Sequence, residues 1–465
     1  MNLLIVLLYL TTAAAFVSQS VDLNQVLGPA GRVLKISPDL LAAMLFAATM
    51  VWLGRTKSLA MPGKYLVLGV ILLLHMVVGA IINQVSPGAF VWGVRVYFAF
   101  IPLFILPLVY RFSDLEIQRY LVFVLGLCLM QLPVALYQRI FVYPYTPTGD
   151  VVRGTFQSGA IMSIVLVMAV GIMLALQLRG KISLKTLLIV APIMLIPTLI
   201  NETKGTVVLL PIVLTAVAFF HAEAAKRIKL LFISGIASVM FILTFTVAYD
   251  VYFPDRGNEG DSFKLIKFFT DEALGDLYKD LEEPKPGRVG RVDSILYALQ
   301  ELDKDPVKVA VGLGIGNVSH PETMDFVKGE YGDLYEYYGA ATTTYASVLW
   351  TTGVMGVLFT LLILWCMYRD TSYLRNRDSY TAAIALGFSS VAICLPVAFL
   401  YKDLVYSNVA NVLGLFLAGY IVSERVRIQQ NERSRMASYI VKRQPNRPLN
   451  VGKPASIPGV LQTRN

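Results

Sequence analysis

The sequence predicts an all-α polytopic membrane protein, with about twelve transmembrane helices and one large, mainly helical external loop domain between the ninth and the tenth. Three observations carry this. Of 465 residues, 56% are hydrophobic and only 15% charged, with a mean hydropathy of +0.63; a soluble chain of this size carries roughly a quarter charged residues. Apolar runs of about 16–22 residues recur, matching the roughly 20 that cross a bilayer as a helix. Basic and weakly charged links alternate between these runs without a slip. The short alternating segments that build a membrane β-barrel are not seen.

In chain order the apolar runs are Asn2 to Val17, Leu40 to Leu53, Tyr65 to Ile82, Val91 to Tyr110, Tyr120 to Tyr137, Ala160 to Leu178, Thr186 to Ile200, Thr206 to Phe220, Leu230 to Tyr249, Thr342 to Tyr368, Tyr380 to Leu400, and Val409 to Val422. The shorter ones extend into flanking residues or thin the bilayer locally. Ala13 and Ala15 offer a signal-peptide cleavage context, but no basic n-region precedes them, so the first run is read as a span.

Orientation follows from the links. Those starting at Arg55, Arg111, Arg179, Glu223 and Tyr368 are basic, whereas 18–39, 84–90, 139–158, 201–205 and 401–408 carry little charge. Basic links face the cytoplasm. Both termini are then cytoplasmic and the long polar segment is outside. Residues 1–249 form an N-terminal bundle of about nine spans, 250–341 the external domain, 342–423 a C-terminal bundle of about three spans, and 424–465 a basic tail expected to be disordered, its first part lying on the anionic leaflet.

The external segment is the acidic part of a basic protein. It holds 19 acidic and 10 basic residues, a net of −9, so the rest of the chain stands at +18. That positive charge lies in the links between spans, which is topology rather than a nucleic-acid footprint. Two helices are predicted in the segment. One covers Ser262 to Leu281, N-capped by Asp261 and ended by Pro284 and Pro286; the other covers about Arg288 to Leu302, with Pro306 stopping it.

Several chemistries are disfavoured. Cys128, Cys366 and Cys394 all lie in apolar runs, and His75, His221 and His320 are scattered, so neither a disulfide framework nor a metal site is expected. The glycines of GLGIG (Gly312, Gly314 and Gly316) lack dinucleotide spacing and predict a tight external turn. No cofactor is expected.

What stands out is cationic. Arg288 and Arg291 are three apart at a helix start, flanked by Gly287 and Gly290; guanidinium forks beside free backbone amides suit a phosphate. The alternative is two solvated charges in an acidic domain. Arg153 and Lys204 sit at outer span ends and Arg95 a turn inside one. Ionisable groups there are functional candidates, with snorkelling as the alternative for Arg95 and Lys204. The topology gathers all five at one membrane face. Asp293, Glu202 and His320 are candidates for a general base, and Tyr331, Tyr335, Tyr337 and Tyr338 could stack on sugar rings or pack at the interface.

Four segments then resemble the superfamily of O-antigen ligases and O-antigen (Wzy-type) polysaccharide polymerases. VVRGTFQSGAIMS looks like the family's arginine-bearing segment before a span. ETKGTVV looks like its Ser-Arg-Gly segment, with Lys204 at the arginine position. GRVGRVDSILYALQ followed by VGLGIGN looks like the external-loop Gly-Arg, its helix and a Gly-x-Gly turn. TTTYASVLWTTGVMG looks like the family's His-Asn-x-Tyr segment at the start of the next span, with Thr342 and Thr343 in place of His-Asn. The order agrees over about three quarters of the chain.

The resemblance implies a metal-independent, inverting membrane glycosyltransferase of a bacterial cytoplasmic membrane. It would polymerise polyprenyl-diphosphate-linked repeat units into a surface polysaccharide, with flippase and chain-length regulator proteins as possible partners and no nucleic acid. The implied diphosphate-binding residues are Arg95, Arg153, Lys204, Arg288 and Arg291; the implied catalytic set is Arg153, Arg288, Arg291, Asp293 and His320. Loss of the His-Asn pair favours a polymerase over a ligase. The competing readings are ligase-type transfer to a final acceptor, a lipid-linked oligosaccharide flippase, and a non-catalytic assembly subunit.

Overall fold

The computed structural model describes residues 2–146, 149–221, 224–252, 289–319, 327–332, 339–377 and 379–443. The helix expected over Ser262 to Leu281, Arg288, His320, Tyr335, Tyr337 and Tyr338 lie outside the described residues.

Among the described residues the chain is helical throughout, without a strand. Its elements are α1 (Leu3–Ser18), α2 (Val21–Leu27), α3 (Pro29–Thr56), α4 (Gly63–Ile82), α5 (Pro87–Phe98), α6 (Ile101–Val109), α7 (Asp114–Leu129), α8 (Gln131–Tyr137), α9 (Gly159–Leu178), α10 (Leu184–Ile200), α11 (Gly205–His221), α12 (Ala224–Tyr252), α13 (Arg291–Leu302), α14 (Pro306–Val311), α15 (Thr344–Leu374), α16 (Tyr380–Tyr401) and α17 (Asn408–Arg443). Eight helices among the described residues are long and apolar enough to cross a membrane, nine if the bent pair α5–α6 counts as one; α1, α10 and α11 are shorter apolar helices. The protein is a polytopic helical membrane protein.

Burial sorts the helices. In α9 and α16, 78% and 72% of the apolar window is buried, against 22% for α4 and for the Lys226–Val247 part of α12. Helices apolar all round belong at the centre of a bundle. Close approach of α9 and α16 requires a glycine: a Cβ on Gly387 would stand 2.8 Å from the Ile172 Cα, the small-residue packing common in membranes. Hydroxyls tie further pairs: Thr12 with the Tyr120 hydroxyl at 3.0 Å, and Thr381 with the Tyr420 hydroxyl at 2.9 Å.

The expected basic links meet at one end of the bundle. There Arg427 donates to the carbonyl oxygens of Pro107 (3.0 Å) and Tyr110 (3.3 Å), and Arg377 pairs with Glu432 at 2.5 Å. Asp370, fully buried, accepts from Lys64 Nζ (2.6 Å) and the Tyr65 hydroxyl (2.7 Å) and pairs with Arg425. This carboxylate clasps α4, α15 and α17.

Several details correct the expectations. The run Val91 to Tyr110 is not one straight span: α5 and α6 meet at 47°, because Pro102 has no amide hydrogen and cannot continue α5 past Phe98. The link 18–39 is mostly helical, with Gly28 (φ 53°) making the corner into α3. Pro306 opens a helix as well as closing one, since Asp305 caps the Val307 amide at 2.9 Å. The tail is not irregular from Glu424: α17 continues to Arg443.

The Gly312–Gly316 turn lies between α4, α5 and α15. Its glycines have φ of 69°, 89° and 84°. The Leu313 amide donates to the Trp350 carbonyl oxygen at 2.8 Å, and Asn83 Nδ2 to the Gly312 oxygen at 3.1 Å. α15 kinks where the turn meets it, at Gly353 (φ 66°, ψ −168°), and His75 Nε2 reaches the Thr352 carbonyl oxygen at 2.9 Å.

Candidate functional site

The opposite end of the bundle is built from weakly charged links. The loop carrying Arg153 is held by two glutamines. Gln138 Oε1 accepts from the amides of Arg153 (3.0 Å) and Gly154 (2.8 Å), and Gln131 Oε1 from the Thr155 amide (2.9 Å). Phe156, fully buried against Phe16 at 5.5 Å, anchors the far side. The backbone of Arg153 is therefore fixed, while its guanidinium bonds to no described residue.

The turn 201–205 docks on this loop. Asn201 Nδ2 donates to the Gly159 carbonyl oxygen (3.1 Å), and Glu202 Oε1 accepts from the Gly149 amide (2.5 Å). Glu202 is thus committed to holding the turn. Lys204 follows, at the N-terminus of α11. The Gly205 amide donates to the Tyr401 hydroxyl at 3.2 Å. A Cβ on Gly205 would lie 2.5 Å from the Tyr401 ring, so only glycine lets that ring sit over the helix start.

Arg291 opens α13. Its Nε donates to the Tyr401 carbonyl oxygen at 2.9 Å, and its guanidinium stacks 4.6 Å from the centroid of the same ring. Tyr401 thus has the Gly205 amide at its hydroxyl and Arg291 on its face. Asp293 lies in the first turn of α13, complementing the helix dipole.

Lys402 and Asp403 complete this end, and the sequence reading passed over both. The Lys402 carbonyl oxygen accepts from the Thr344 hydroxyl (3.1 Å), which in turn accepts from the Leu404 amide (2.9 Å). Burial pushes the Lys402 ammonium below its usual range; Asp403 counters this and Arg291 adds to it. Asp403 is buried, with the Val405 amide on Oδ1 at 2.8 Å and the Ser347 hydroxyl on Oδ2. Burial pushes its carboxyl up to about 7, against the pull of Ser347, the Val405 amide and Lys402. Ser347 Oγ also lies 2.8 Å from the Ala340 carbonyl oxygen. Ser347 has one proton for two acceptors, so a protonated Asp403 donating to Ser347 satisfies all three groups.

Gln19 bridges the outer links: its Nε2 donates to the Tyr406 carbonyl oxygen (2.7 Å) and its Oε1 accepts from the Asn408 amide (3.1 Å). The links carrying Arg153, Lys204, Arg291, Lys402 and Asp403 thus share one end of the bundle. Arg95 pairs with Asp39 of α3 and stacks 4.3 Å over Trp92. Thr343, at one of the two positions where the resembled family carries His-Asn, caps α15 by accepting from the Ala346 amide at 3.1 Å. Among the described residues no three His, Cys, Asp or Glu side chains form a metal-binding group.

Below the links, an apolar cleft of about 110 Å³ runs between α7, α9, α16 and α17. Leu404, next to Asp403, lines one part of it, and Tyr120 and Leu176 another. Comparison of the chain with family models and with curated proteins returns no match.

Proposed function

We propose that this protein is a membrane glycosyltransferase that polymerises polyprenyl-diphosphate-linked repeat units into a surface polysaccharide at the outer face of a bacterial cytoplasmic membrane. In this reading all twelve apolar runs cross or enter the bilayer, the acidic segment is outside, and both termini are cytoplasmic. One observation carries it: Arg153, Lys204, Arg291 and Lys402 lie on links that meet at one bundle end, around Tyr401 and beside the buried Asp403.

The proposed chemistry follows from those residues. The donor diphosphate sits among the cations, with Arg153 as the group still able to bind it, and its lipid chain lies in the apolar cleft. An acceptor sugar hydroxyl attacks the anomeric carbon as the bond to the diphosphate oxygen breaks, inverting the centre. The bonding pair leaves on the diphosphate, where the cations stabilise it. The hydroxyl proton passes to ionised Asp403, whose raised range suits a base working near neutrality.

Thr342 and Thr343 in place of His-Asn favour polymer growth over ligase-type transfer. A flippase would line its central cavity with charge, whereas this cleft is lined by apolar side chains and Tyr120. The test is polymer formation by purified protein from a synthetic lipid-linked repeat unit, without nucleotide. The expected result is polymer from wild type and none from Arg153→Ala at an unchanged thermal midpoint. Equal inertness of the two, with glycan transport dependent on the protein, would sink the enzyme reading.

A further inference from the structure

Several cations at the basic end of the bundle are paired with acids. Lys64 and Arg425 share Asp370, Arg377 has Glu432, and Arg427 has Glu424. One cluster there is different. Arg179 ends α9, His221 ends α11, Lys226 lies in the first turn of α12, and Arg375 follows α15. Arg179 donates to the Arg375 carbonyl oxygen, and the Arg375 guanidinium lies 4.1 Å over the Phe220 ring. The charges of Arg179 and Lys226 both bear on the His221 ring. Among the described residues no carboxylate pairs with any of the four.

Three buried nitrogens in this cluster lack a hydrogen-bond partner: Arg179 Nε, His221 Nδ1 and Arg375 Nη1. A buried donor on a charged group left unsatisfied costs more than a neutral one. Two of the three, Arg179 Nε and Arg375 Nη1, belong to charged groups; in one cluster, with positive charge converging and no acid among the described residues, they are the imprint of an anion. Planar guanidinium forks match phosphate oxygens, and the Phe220 face holds one fork in place. The cluster lies at the ends of membrane helices, the level of lipid headgroups.

We propose that Arg179, His221, Lys226 and Arg375 form a phosphate-binding site at the basic end of the bundle, opposite the glycosyl-transfer end. Its guest is a phosphate monoanion or dianion, either the headgroup phosphate of an acidic glycerophospholipid or free phosphate. The site joins α9, α11, α12 and α15, so its occupancy stiffens the bundle from the far side. It does not depend on the polymerase reading.

The experiment uses the full chain purified in detergent. Its thermal midpoint is measured with dioleoylphosphatidylglycerol, with dioleoylglycerol (which lacks the phosphate), and with inorganic phosphate against chloride at matched ionic strength. Native mass spectrometry counts retained lipid. Stabilisation and retention of phosphatidylglycerol but not diacylglycerol, with phosphate inert, identifies a lipid headgroup. Stabilisation by inorganic phosphate alone identifies a free anion. Arg179→Gln with Arg375→Gln weakens binding on the order of tenfold or more, and the exposed Lys226→Gln roughly threefold. Arg179→Lys with Arg375→Lys keeps the charge and serves where the glutamine pair fails to fold; it loses the forks and binds less well than wild type. Diacylglycerol acting as well as phosphatidylglycerol, no shift with either phosphate source, or wild-type binding by Lys226→Gln and the double variants would overturn the site.

Discussion

Two buried carboxylates at opposite ends of the bundle solve the same problem differently. Asp370 is enclosed by Lys64, Arg425 and the Tyr65 hydroxyl. Asp403 is enclosed by neutral donors, Ser347 and the Val405 amide, with Lys402 as a neighbour rather than a hydrogen-bonded partner. A carboxylate gripped by two cations stays ionised and fastens helices. One that is desolvated without such a grip can give up or take a proton near neutral pH. The contrast distinguishes a carboxylate held by cations from one able to exchange a proton near neutrality, without reference to any sequence motif.

Breaking each carboxylate tests the contrast. Asp403→Asn should lower polymer formation by about 10²–10⁴-fold and abolish the rise in rate with pH through about 7, while leaving the protein folded; an unchanged pH–rate profile would remove Asp403 as the base. Asp370→Asn should act on folding, losing about 3 kcal/mol or more by leaving Lys64 and Arg425 without their acid. A thermal midpoint equal to wild type would show that this clasp is not structural. Asp403 also sets a stability slope. Its folded value of about 7 stands above the ordinary 3.8, so between these pH values the folded state holds a proton the unfolded state has released. Stability should therefore fall as pH rises across that window and level off above it, and Asp403→Asn should flatten the slope. The smallest effect is expected from Arg291→Lys, which keeps the charge but loses the stack on Tyr401, about 0.5–2 kcal/mol of ordering at the site, seen as a raised KM with little change in thermal midpoint.

Much of the fold was legible because an apolar run announces a helix: each of the twelve runs falls largely in helix, and among the described residues eight helices, nine with the bent pair, are long and apolar enough to cross a membrane. The bend between α5 and α6 was not, since Pro102 sits inside a run that stays apolar on both sides of it. The helix beyond Glu424 was missed because a polar helix carries no hydropathy signal. At the candidate site, Arg153 and Arg291 stood out by motif and charge. Asp403 did not, because a Lys-Asp pair in a short link reads as solvated. Its burial comes from Ser347, 56 residues earlier, a tertiary fact. Likewise the pairing of Arg95 with Asp39, 56 residues before it, joins two helices and could not be read from the sequence.

The glycine turn seated in the kink of α15 has a consequence for biogenesis. Residues 312–316 leave the ribosome before α15 exists, yet their docking surface includes Trp350 and Gly353. The turn must wait outside its slot until α15 inserts beside α4 and α5, and only then can the chain close behind it. Docking of this turn thus cannot be completed until α15 has been made. A bulky residue at Gly353 would leave earlier helices inserted and the turn open to protease, a defect of quality control rather than of membrane targeting.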